Sequence, residues 1–187
     1  MQSRPAPDAP IPDPDVRAAL ARVEVESNLG DPDDADTPWL ADERCDPVRA
    51  VRLAAAAIIA ELGNAEWPET VAISVLFGSD AEIARMNGDW RGKPAPTNVL
   101  SWPAAEVRPP TAPPPFWGDL AFAHGVASRE AHERGEGLKT YLPVLGVHGL
   151  LHCLGYDHEA DDEAEAMERL EARILVRLGL PDPYADT

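Results

Sequence analysis

Three of the chain's five histidines fall within eleven residues: His148, His152 and His158, in the run V-H-G-L-L-H-C-L-G-Y-D-H. Two imidazoles four residues apart share one face of a helix. Gly155 can end that helix, because glycine adopts the left-handed turn that a helix exit often needs. The returning chain then presents His158 from a third direction. Three ring nitrogens aimed at one point leave a fourth position open, which is the arrangement of a catalytic zinc site. Imidazole also suits copper, iron and nickel, so the spacing specifies a metal before it specifies zinc. An H-x-x-x-H pair alone on an apolar helix reads more often as two hydrogen-bonded core residues than as ligands. The third histidine, beyond a helix-stopping glycine, makes the group a ligand set.

The spacing matches the long zincin pattern H-E-x-x-H-x-x-G-x-x-H, with Gly155 at the glycine position. The place of the peptidase glutamate holds Gly149 instead. The helix therefore offers ligands without the usual general base, and water activation must come from the metal or from a base elsewhere. Cys153 stands beside His152 but about 100° around the helix, which makes it a core residue rather than a ligand. His124 and His132 lack metal spacing. No Ser/His/Asp or Cys/His nucleophile pattern and no phosphate-cradling glycine loop is present. Asp157 abuts His158 and reads in two ways, as a carboxylate that fixes a ring tautomer or as a turn residue. Asp119 reads as structural, and Ser101 and Asn98 as residues that could line a cleft.

Positioning these ligands requires a buried helix, and Leu138–Leu154 is apolar on nearly all sides. Upstream, R-V-E-V-E-S (22–27) alternates apolar and charged residues as a half-buried strand does. Asn28–Arg44 is acidic, turn-rich loop. Asp46-Pro47 pairs an N-cap with a proline at the first helical position, and the apolar spacing runs on to Gly63. T-V-A-I-S-V-L-F (70–77) is a buried strand. Ser79 and Glu82 form a capping-box pattern that opens a short helix, which Arg91-Gly92-Lys93-Pro94 breaks. Thr97–Trp102 and Gly118–His124 are two further strands, separated by a proline-rich excursion over Pro103–Pro115 that reads as extended and exposed. Helices follow near Val126–Arg134 and Asp161–Leu178, the latter with its acids at the N-terminal end, where the helix dipole favours them. The expected fold is α+β: a small mixed four-stranded sheet packed with about five helices, in one domain over residues 16–187. Residues 1–15 are read as a disordered, proline-rich tail.

The chain has 187 residues and a formal net charge of −17, which argues against bulk affinity for nucleic acid and against DNA in particular. Residues 1–46 carry 12 acidic and 4 basic side chains and residues 157–187 carry 10 and 3, whereas the middle carries 11 and 9. A local basic cleft is compatible with that middle. The longest apolar stretch, Leu53–Ala60, is too short to span a bilayer, so no membrane is expected. The opening residues have no secretory apolar run, and two cysteines make no disulfide framework, so a reducing cytoplasm is the expected setting.

Three segments occur in order: R-G-K-P-A-P-T-N-V-L-S-W-P, W-G-D-L-A and H-G-L-L-H-C-L-G-Y-D-H. Together they resemble the YbeY family of bacterial endoribonucleases and rRNA maturation factors, over residues 70–178. Trp102, Trp117 and Cys153 depart from the family's usual residues, each apolar for apolar. The resemblance implies a metalloprotease-like metal helix and one Zn²⁺ held by His148, His152 and His158. It implies a functional arginine at Arg91, where a guanidinium fork would meet phosphate oxygens while Lys93 adds point charge. It implies a single-strand-specific endoribonuclease acting in the 3′-end maturation of 16S rRNA and in ribosome quality control. Its expected partners are rRNA and the 30S subunit, with ribosomal or GTPase assembly proteins beside them. Two other classes stay open at this point: a zinc-dependent peptidase-like hydrolase, and a non-catalytic ribosome-assembly factor with structural zinc.

Overall fold

The computed structural model describes residues 13–29, 39, 45–109, 111–158 and 160–184. Ten α-helices and β-strands run in the order α1 (Pro14–Ala19), β1 (Val23–Asn28), α2 (Pro47–Leu62), β2 (Val71–Gly78), α3 (Asp80–Arg91), β3 (Val99–Pro103), β4 (Phe116–Ala123), α4 (His124–Glu133), α5 (Leu138–Cys153) and α6 (Asp161–Arg177), with a 3-10 turn at Leu20–Arg22 between the first two. The strands form one mixed sheet in the order β1-β2-β4-β3, with β1, β2 and β4 parallel and β3 antiparallel to β4. The α+β expectation with four strands holds. There are six α-helices among the described residues rather than about five.

The helix missed in the sequence is α1. Asp13 caps it through a side-chain bond to the Asp15 amide (2.8 Å), and Asp13 also pairs with Arg177 on α6 (3.0 Å). Residues 13–15 therefore belong to the folded body and not to the tail. Residues 1–12 and most of the acidic 28–44 stretch lie outside the described residues. A 6-residue helix offers too few turns for its apolar spacing to stand out. The 103–115 excursion is largely exposed, as expected. Pro113 alone among its described residues is buried, and Val107, Pro109 and Pro113 line a small cavity with Leu62, Trp67, Leu154 and Tyr156 at the ends of α2 and α5.

Strand alternation divides the core between two faces. Val71, Ile73, Val75, Phe77, Leu120 and Phe122 belong to the larger cluster with α2, α5 and α6, whereas Leu100, Ala121 and Ala123 pack with Ile83 of α3. Asp46 caps α2, its carboxylate accepting from the Arg49 amide at 2.9 Å, and Pro47 occupies the first turn as expected. The alanine run Ala54–Ala57 on α2 is fully buried, and its small side chains admit α5 closely: a Cβ at Gly146 would lie 3.1 Å from the Ala54 Cβ. Leu142, Leu150 and Leu151 of α5 are completely buried. Each contributes about 1.5–3 kcal/mol relative to exposure. The helix that carries His148 and His152 is thereby held between α2 and the sheet.

Candidate metal centre

The three histidines converge. His148 and His152 project from the last turns of α5, and their Nε2 atoms are 3.2 Å apart. His158 completes the group, with ring centroids 5.7 Å from His148 and 5.0 Å from His152. One ligand atom from each of the three lies within 4.8 Å of the others. Gly155 makes the return possible with a φ of +84°, and a Cβ there would fall 1.8 Å from the Val107 carbonyl oxygen. Glycine is thus required both for the left-handed turn and for the passage of the 103–115 segment over it.

Hydrogen bonds fix which nitrogen of each helical histidine is free. His148 Nδ1–H donates to Glu171 Oε1 at 2.7 Å, and His152 Nδ1–H donates to the Tyr156 carbonyl at 3.0 Å. Both protons are committed there, because carboxylate and carbonyl oxygens only accept. Both Nε2 atoms of the neutral rings therefore carry lone pairs, facing one another at 3.2 Å. Such lone pairs repel unless a cation lies between them. A tetrahedral zinc with Zn–N bonds of about 2.0–2.1 Å sets its nitrogens about 3.3 Å apart, so the donors present fit that ion. Burial first, and then the penalty of adding a second positive charge beside His148 and His158, hold the His152 pKa below its ordinary 6.5, which favours a neutral ring able to ligate. His158 is exposed and leaves one side of the cluster facing solvent.

Gly149 has a packing reason. A Cβ there would lie 3.0 Å from Leu120 Cδ2, 3.1 Å from Ser101 Oγ and 3.2 Å from Val99 Cγ2. The position that carries the peptidase glutamate in zincins here faces β3 and β4, where a Cβ would already be in tight contact. Cys153 is buried, and burial followed by the Asp119 charge pushes its thiol up to about 12, so it packs in the core as a protonated side chain.

Asp157 Oδ1 accepts from the His158 amide at 2.8 Å, a turn contact. The carboxylate that meets a ligand ring is Glu171, on α6 and only 5% exposed. Sequence reading missed it because it lies 23 residues from His148 on an acid-rich helix, where one inward glutamate looks like its neighbours. Its signal was its place on the inward stripe, one residue after Leu170 and three before Ile174.

Arg91 ends the last turn of α3 and Lys93 follows at its exit. α3 covers the sheet face opposite α5: Leu100 and Ala121 meet α3, while Val99 and Ser101 face Gly149. The Arg91 and Lys93 side chains are exposed and make no hydrogen bond or ion pair to any described residue. Beside them Trp90 is 69% exposed and packs edge-on against Trp102 of β3, with centroids 6.4 Å apart. Asn87 anchors the segment that follows, its side-chain amide donating to the Ala95 carbonyl at 2.8 Å. Asn98 is spent on structure, donating to Glu130 at 2.9 Å and accepting from the Val99 amide at 2.7 Å. Asp119 is exposed on β4. No helix among the described residues is long and apolar enough to cross a membrane.

Comparison with known proteins gives a consistent result. The profile of the family described as Endoribonuclease YbeY matches residues 41–179. Endoribonuclease YbeY of Rhodopseudomonas palustris strain BisA53 is 45% identical over 152 residues, covering 79% of this chain and 85% of that one. Endoribonuclease YbeY of Jannaschia sp. strain CCS1 is 50% identical over 141 residues, covering 71% of this chain and 88% of that one.

Proposed function

Since this chain belongs to the YbeY family of endoribonucleases, and so is a hydrolase acting on RNA, we propose that it is zinc-dependent and cuts single-stranded RNA in the 3′-end maturation of 16S rRNA and in ribosome quality control. The observation that carries the zinc reading is the pair of Nε2 lone pairs 3.2 Å apart, both rings held by acceptors behind them. A bound zinc supplies Lewis acidity toward a phosphate oxygen or a water molecule. The residues of the chain do the rest. His148 and His152 fix two coordination directions from a rigid helix, and His158 closes the third from the solvent side. The cramped contact at Gly149 favours a nuclease over a peptidase-like hydrolase.

Arg91 offers a guanidinium fork to phosphate oxygens, and Lys93 adds a second positive charge. Trp90, exposed next to them, presents an aromatic face on which an unpaired base can stack. A strand that passes the β3 edge meets these groups before it reaches the histidines. A chain of net charge −17 binds naked RNA weakly. The 30S subunit, together with ribosomal or GTPase assembly proteins, is the setting that presents the substrate, and it places the protein in the cytoplasm.

The test loads metal-stripped protein with one equivalent of zinc and offers it unpaired rRNA fragments, the same sequences as duplex, and casein. Cleavage of unpaired RNA alone, lost on removal of zinc, is the expected outcome. Cleavage of casein, or binding to 30S subunits with no cleavage at all, contradicts the reading.

A further inference from the structure

The segment after α6 does not simply trail away. α6 exits through a left-handed Gly179 (φ +73°), with the Leu180 amide donating to the Leu175 carbonyl at 3.0 Å. This is the bond pattern that reverses a chain at a helix end. Pro181 and Pro183 stiffen the return, and Asp182 Oδ1 accepts from the Tyr184 amide at 2.8 Å. The outcome is that the Tyr184 hydroxyl donates to Glu171 Oε2, whose other oxygen receives the His148 Nδ1 proton at 2.7 Å. Two donors from separate elements thus converge on one carboxylate that is 5% exposed. Burial, and then the Glu171 contact, raise the pKa of the Tyr184 phenol, so its proton stays available to donate.

We propose that Tyr184 and Glu171 are positioning residues for the metal centre: the segment 178–184 is a latch that holds the Glu171 carboxylate against His148 and thereby sets the tautomer, orientation and basicity of the first ligand. The proposal rests on the zinc reading above. A carboxylate behind a ligating imidazole strengthens the metal bond, and its removal typically costs about 10–100-fold in metal affinity. The phenol acts on the metal site only through that carboxylate, so its removal costs a smaller share of the same quantity, about threefold.

The test is zinc affinity of the full chain, read by competition with a chromophoric chelator in the absence of RNA. Glu171→Gln is expected to lose about 10–100-fold and Tyr184→Phe about threefold. Adding Tyr184→Phe to Glu171→Gln is expected to cost nothing more, because the carboxylate through which the phenol acts is already gone. In cobalt-loaded protein the visible absorption band shifts in Glu171→Gln, while metal-free melting temperatures stay close to the unaltered chain. Full zinc affinity in both single variants overturns the latch. Losses that add in the double variant, or that follow the melting temperature, overturn it as well. If the unaltered chain takes up no zinc, the metal reading fails and the latch with it; if it binds one zinc and the variants match it, the latch alone fails.

Discussion

At the scale of single residues, the account separates holding a metal from handling a substrate. His152→Ala removes one of three ligands, and elemental analysis of the purified variant is expected to show zinc well below one equivalent. Arg91→Ala leaves the three imidazoles untouched and is expected to keep its zinc while RNA cleavage falls about a hundredfold, the scale of one donor aimed at developing phosphate charge. A variant pair that loses metal and activity together at both positions contradicts this division. His152 also gives a pH signature. Its pKa is depressed below 6.5, first by burial and then by its histidine neighbours. The folded, metal-free protein therefore resists protonation there more than the unfolded chain does. That contribution to stability is complete above pH 6.5 and is lost as the pH falls through the lower folded value. Metal-free melting temperatures are expected to decline on acidification from that point, with a flatter decline in His152→Ala.

At the scale of elements, the metal helix explains what the sequence revealed and what it hid. His148, His152, Gly155 and His158 were legible because their chemistry depends on local spacing: four residues along a helix, a glycine exit, a short return. The N-cap at Asp46 and the four strands were legible for the same reason, each being a short-range pattern. Glu171 and Tyr184 were not, because their meaning arises only when α6 lies beside α5 and the following segment folds back. Arg91 was singled out by family resemblance and not by spacing, and its helix α3 packs on the sheet face opposite α5. The proline-rich segment read as solvent-exposed chain, and most of it is, with Pro113 alone among its described residues buried. Gly149 tests the packing part of this account. Restoring the zincin glutamate as Gly149→Glu forces a side chain into a place where even a Cβ comes within 3.0 Å of Leu120. The variant is expected to lose about 1–3 kcal/mol in chemical denaturation and to gain no activity on casein. A variant of unchanged stability would show that α5 does not press on the sheet as described.

At the scale of the whole molecule, α1, α2 and α6 are tied together by a charge cluster. Glu61 of α2 accepts from Arg173 Nε at 2.7 Å and Arg177 Nε at 2.8 Å, and Arg177 also meets Asp13 at 3.0 Å. Burial alone would push the Glu61 pKa up, but the two arginines outweigh it and hold the group below its ordinary 4.5. Its contribution is therefore present above pH 4.5 and lost as the pH falls through the folded value. Glu61→Gln is expected to cost about 1 kcal/mol at neutral pH, since Arg173 is largely exposed and screened by solvent, and to flatten the acid limb of the stability profile. Equal stability of the two proteins at neutral pH would remove this clamp from the account.

The central claim is that three imidazoles hold one ion and leave a coordination position for solvent or substrate. A crystal structure of the zinc-loaded protein, with anomalous diffraction collected at the zinc edge, tests it most directly. The account predicts a single anomalous peak bonded to the Nε2 atoms of His148 and His152 and to a ring nitrogen of His158, with a non-protein fourth ligand. Rings turned away from one another, or a fourth side chain on the metal, would contradict it.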